Sequence, residues 1–154
     1  MSYIFKLILQ IIFALIIFVF SAAISLYEGS GITPWEWEYS TPFTHLFLGE
    51  IEKSSDILFL DYFIYAAKFH PFYPLTMILS LFYLIILFGV ILYKITNKIN
   101  YLGSISLILC ILTFISTCSL IKASTFGGKL FFYLFLILSL LFLYLSYHFF
   151  KKKK

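Results

Sequence analysis

The chain contains no arginine: all eleven residues of the Lys/Arg class are lysine. Recognition of carboxylate or phosphate by a bidentate guanidinium fork is therefore excluded. Acidic residues are missing from most of the chain as well. All seven, Glu28, Glu36, Glu38, Glu50, Glu52, Asp56 and Asp61, fall within residues 28–61. Charged residues make up 12% of the total, against roughly 25% in soluble domains, which leaves too little polar surface to cover a globule. Cysteine is limited to Cys110 and Cys118. Eight residues apart on a helix is about 12 Å of rise, beyond the roughly 4.4–6.8 Å between Cα atoms that a disulfide requires. The two read as small packing residues. With no C-x-x-C pattern, thiol redox chemistry has no support.

What fills the space is hydrocarbon. Residues are 62% hydrophobic and the mean hydropathy is +1.03. Four apolar runs account for this, over residues 7–26, 75–93, 101–121 and 130–150, and none contains an acid or a lysine. A helix needs about 20 mostly apolar residues to cross a bilayer core of roughly 30 Å, and each run has that length. Strict two-residue alternation is absent, so a membrane β-barrel is not indicated. The expected fold is an all-α integral membrane domain, a bundle of four transmembrane helices over about 5–26, 73–93, 101–121 and 130–150. A long acidic, aromatic-rich extracytoplasmic loop over 27–72 and a basic tail over 151–154 complete it. The net charge of +4 belongs to lysines at helix ends, where they meet lipid headgroups. It is not a nucleic-acid signal, and the expected partner is the bilayer.

Lysine counts set the orientation. With the N-terminus cytoplasmic, the inner side holds seven lysines: Lys6, Lys94, Lys98 and the four of the tail. The outer side holds four, Lys53, Lys68, Lys122 and Lys129, of which the last two pull the other way. Both termini are therefore expected inside and the acidic loop outside. The first apolar run also has features of a secretory signal peptide, with Lys6 before it and Ser21-Ala22-Ala23 near its end. Its apolar character continues through Leu26, which favours an uncleaved anchor.

Within the third run, Gly103, Ser106, Cys110, Thr113 and Thr117 recur at spacings of three and four, one stripe along a helix face. Small residues so placed let helix backbones approach closely in lipid. The stripe puts this helix at the bundle centre, with Ala14, Ser21 and Ser25 of the first helix as candidates to face it. A polar solute path is the alternative reading, but no ionisable residue joins the stripe. Titratable groups within a bilayer mark proton relays and coupled transport. None lies inside a run, and His148 comes near the end of the fourth, so an ion-coupled transporter is disfavoured.

The loop is where function is expected, since it exceeds the roughly 12–15 residues of ordinary connections. Pro34-Trp35-Glu36-Trp37-Glu38-Tyr39 alternates aromatic and acid. Extended, it would place Trp35, Trp37 and Tyr39 on one face and Glu36 and Glu38 on the other. That pattern suits the membrane–water interface or a docking strip, with His45 following. Residues 55–69 read as a short amphipathic helix capped by Ser54 or Ser55, with Asp56 at its positive end. His70 and Pro71 stop it. Lying on the outer leaflet is preferred for this helix over folding across the bundle mouth.

His45, His70 and the loop acids show no metal-ligand spacing, and Ser40, Thr41 and Thr44 lack a base in any recognised motif. No metal or cofactor is expected. The strings Tyr27-Glu28-Gly29-Ser30 and Pro34-Trp35-Glu36-Trp37-Glu38-Tyr39-Ser40-Thr41-Pro42-Phe43-Thr44-His45 resemble the signature of the YjdJ-like family of small bacterial membrane proteins. The resemblance covers the part of the loop over residues 27–45 and the general hydrophobic layout. It implies a bacterial plasma membrane and no known activity. The leading functional expectation is an accessory or interaction protein docking through its outer loop to lipid, a membrane protein or a second copy. The alternative is a membrane enzyme or small-solute transporter using the loop carboxylates and His45 at the outer mouth.

Overall fold

Apolar runs without acids or prolines in their interiors have one way to satisfy every backbone amide internally, and that is a long helix. The computed structural model describes residues 3–36, 40–51, 53–96 and 98–152. Its long helices are α1 (Tyr3–Gly29), α4 (Phe72–Thr96), α5 (Asn100–Ser119) and α6 (Phe126–Lys151), and two shorter ones, α2 (Pro42–Phe47) and α3 (Phe59–Phe69), lie between α1 and α4. The four long helices are each long and apolar enough to cross a membrane. No strand occurs among the described residues.

Local chemistry places the ends. Thr125 precedes α6 and its side chain accepts from Gly128 N at 3.2 Å, the usual N-cap arrangement. Pro42 opens α2 and Pro74 sits in the first turn of α4, where a missing N–H has no cost. Helix α3 ends as His70 N donates to Ala66 O at 2.7 Å, and Pro71 follows.

The long helices associate as two pairs, α1 along α4 and α5 along α6, with α4 also touching α5. Buried Gly103, Ser106, Leu109, Thr113 and Thr117 form one face of α5. Opposite them stand Phe131, Ser139, Phe142 and Ser146 of α6. Ser146 Oγ donates across the seam to Gly103 O at 3.2 Å, and Phe150 lies over Gly103. Cys110 is only half-buried, because the buried face runs through Leu109 at that level. The hydroxyls of Ser21, Ser25, Thr113 and Thr117 donate to carbonyls four residues back in their own helices, which removes the cost of burying them.

This pairing differs from the expected one. Ala14 packs near Thr76 and Ser80 of α4, and the stripe on α5 meets α6 instead of α1. Helix α5 lies between α6 and α4, with Leu102 and Ile105 over Gly89 of α4. The pair-to-pair contact runs through α4, with Phe82 set edge-on to Phe142 at 5.7 Å.

Candidate functional site

The loop between α1 and α4 folds into a cap, and its anchor is α3. That helix packs on α1, α4 and α6 together, so it lies across helix ends, contrary to the preferred placement on the leaflet. Two glycines explain how close it comes. A Cβ on Gly29 would collide with the Tyr62 carbonyl, and one on Gly127 with the Ala67 carbonyl. The backbones touch where side chains would hold them apart.

The start of α3 also differs from expectation. Residues 54–56 form a separate 3-10 turn, Ser54–Asp56. Asp56 does not face the α3 terminus, since it bends back to accept from Lys53 N at 3.0 Å. Ile57 then turns inward and is buried, and α3 begins at Phe59.

The carboxylate in the first turn of α3 is Asp61, with 0% of its surface exposed. An ionised carboxylate in such a place is costly unless each oxygen finds donors. Here Oδ1 accepts from Phe43 N at 3.0 Å, and Oδ2 from Thr44 N at 2.7 Å and Thr44 Oγ1 at 2.6 Å. Those amides open α2, so Asp61 caps that helix from another part of the chain. Thr44 Oγ1 in turn accepts from Leu58 N at 2.9 Å. The node thus ties α2 to α3 and to the residue before it.

A second node holds the stretch after α1. Glu36 accepts from Thr33 N at 2.9 Å and from Thr33 Oγ1, and the Tyr65 hydroxyl donates to both its oxygens at 3.2 Å. The Thr33 hydroxyl and amide, with Tyr65 adding to them, hold the Glu36 carboxyl below its ordinary value against a smaller opposing effect of burial. Tyr65 is pushed upward, first by burial and then by the adjoining carboxylate. Its ring packs with Ile32 and Ile57, flanked by Ile51 and Tyr62. Glu28 Oε2, by contrast, is enclosed with no hydrogen-bond partner among the described residues.

Of the candidate docking strip, Glu36 is thus part of the cap's internal structure. Pro34–Glu36 is a 3-10 turn, with Glu36 N donating to Thr33 O at 2.9 Å, so the expected extended strand does not hold there. The side chain of Trp35, and Trp37, Glu38 and Tyr39 entirely, lie outside the described residues, as does Glu52. His45 is exposed, its Nδ1 set 3.0 Å from Gly49 O. No group of three His, Cys, Asp or Glu able to hold a metal occurs among the described residues. Sequence reading missed the Asp61–Thr44 and Glu36–Tyr65 nodes. The available signal was Asp61 itself, a lone acid among Phe59, Leu60, Tyr62 and Phe63, which had to find donors elsewhere.

The outer edge of the cap is apolar. Leu46, Phe47 and Phe59 are 73%, 67% and 72% exposed. Leu48 and Phe59 border a recess of about 580 Å³ that Glu50, Asp56 and Ile57 also line.

The profile of a family described as Domain of unknown function (DUF4306) matches residues 8–93, from α1 through the cap to α4. The chain is 30% identical over 93 residues to "Uncharacterized protein YjdJ" of Bacillus subtilis (strain 168), which spans 58% of this chain and 85% of that protein. No solved structure matches.

Proposed function

This chain belongs to the DUF4306 family, and from that premise we propose that it is a multi-pass plasma-membrane accessory protein. Its outward cap docks a basic-apolar segment of a membrane protein partner. The observation that carries this reading is the contrast between the two sides of the cap. Inside, Asp61 and Glu36 are committed to holding α2, α3 and the Thr33 turn together. Outside, Leu48 and Phe59 stand exposed around the recess that Glu50 and Asp56 line, and Leu46 and Phe47 are exposed as well. A pinned scaffold with an apolar edge is what a docking surface requires. The flanking carboxylates favour a protein partner over bilayer lipid, because an anionic membrane surface repels them. Both termini face the cytoplasm in this reading, supported by the seven lysines on the side of the termini.

A photoreactive residue placed at Phe47 or at Phe59 in live cells tests the docking. The expected result is one discrete protein adduct from both positions and none from Ile137, which is 63% exposed on α6. Adducts confined to lipid at all three positions overturn it.

A further inference from the structure

We propose that the cleft between the cap and the α5–α6 turn binds one anionic phospholipid, phosphate toward Lys68 and Lys122 and an acyl chain along α6. The cleft has a volume of about 490 Å³ and is lined by Ser40, Lys68, Phe69, Lys122 and Thr125, among others. It is not closed below. A second groove of about 230 Å³, lined by Ile64, Ile78, Phe131 and Phe135, shares Lys68, Leu120 and Gly128 with it. The two form one site that is polar and cationic at one end and hydrocarbon at the other.

Each end fits one part of an amphiphile. Lysine ammonium groups act as point charges toward phosphate, and the hydroxyls of Ser40 and Thr125 add donors at the same end. Phe131 and Phe135 stand one turn apart on α6, about 6 Å of rise, which gives several methylenes a wall before the chain rejoins the bilayer. Inorganic phosphate would use only the upper end and leave the apolar groove empty. The level is also right: Lys122 lies in the turn just before α6, where the headgroups of a spanned bilayer stand.

This site rests on the reading of the long helices as membrane-spanning, but not on the protein partner, which would meet the opposite, acidic edge of the cap. Part of its wall lies beyond residues 8–93, the extent of the family match, so it belongs to chains that carry the α5–α6 hairpin.

Native mass spectrometry of the full-length protein in neutral detergent provides the test, with phosphatidylglycerol, phosphatidylcholine and inorganic phosphate as probes. The expected result is one retained phosphatidylglycerol, preferred over phosphatidylcholine by roughly tenfold, as two lysines near an anionic headgroup should give. Added inorganic phosphate should not displace it. The preference should vanish in K68Q/K122Q and persist in K129Q, whose lysine is outside the cleft. Phe131→Ala with Phe135→Ala should weaken retention of both lipids. Equal retention of the two lipids by the unaltered protein overturns the proposal, as does a preference that survives in K68Q/K122Q. Displacement by inorganic phosphate would make this a free-anion site and overturn it equally.

Discussion

Asp61 and Glu36 are both carboxylates accepting from threonine, yet their surroundings give them different sensitivities. Asp61 has no exposed surface and three donors on its oxygens, so replacing it by Asn removes the charge and turns one acceptor into a donor facing donors. Asp61→Asn should cost about 2–3 kcal/mol, the range for losing hydrogen bonds to a buried charged group. Denaturant unfolding in detergent measures it, and amide exchange at Phe43 and Thr44 should accelerate; unchanged exchange there would refute the capping role. Glu36 is half-buried and titrates. Its carboxyl is held below the ordinary value, so its contribution is present above the unfolded pKa, about 4.3, and is lost as pH falls through the folded value. Tyr65 is raised, so its contribution is complete below about 10 and disappears as pH rises through the folded value. Cap stability, followed by proteolysis of the loop, should therefore plateau between these limits and fall on either side. Glu36→Gln should remove its part of the acid limb, and Tyr65→Phe that of the alkaline limb; limbs identical to those of the parent would contradict the latch.

Among the elements, α3 is the one whose position the proposed docking needs, and two contacts set it. Gly29 and Gly127 each meet an α3 carbonyl directly. Gly29→Ala and Gly127→Ala should each displace α3 at a cost of about 1–3 kcal/mol. Gly31→Ala, whose Cβ would meet nothing nearer than Glu28 O at 3.5 Å, should be far milder. Rates of loop cleavage by protease compare the three, and equal rates would show that α3 is not seated on the glycines. The long helices were legible in the chain because hydropathy is a sum over neighbours. The small-residue face of α5 was legible too, because helical spacing is a local property. The partner of that face was not. Spacing identifies a surface that wants close approach, and both α1 and α6 carry small residues that fit it. The start of α3 was misplaced for a related reason: Asp56 suits a helix N-terminus, but it suits equally the 3-10 turn it makes with Lys53.

For the molecule as a whole, the proposed topology makes a labelling prediction. With Cys110 and Cys118 replaced by serine, Ser55→Cys on the cap should react with an impermeant maleimide in intact cells. Lys98→Cys, in the α4–α5 connection, should react only after permeabilisation. The reverse pattern would put the cap in the cytoplasm. If neither position is labelled differently by permeabilisation, the spanning arrangement itself is wrong. The cap and the α5–α6 turn lie at one end of the long helices, since Gly127 meets Ala67 and Lys68 shares a cleft with Lys122. The α5 start and the α6 end meet at the other, where Gly103 lies under Phe150. That arrangement separates the recess beside Glu50 and Asp56 from the lysine-lined cleft on one small cap.

The number of long helices, their approximate extents and the place of the long connection between the first two were determined by sequence alone, because each follows from the average character of a contiguous stretch. Tertiary structure decided which helices pair, that α3 crosses their ends, and that Asp61 caps α2 while Glu36 meets Tyr65. Those contacts join residues 17 or more positions apart. Their energy depends on which donors and surfaces the fold brings within a few ångströms, and no pattern along the chain encodes that distance.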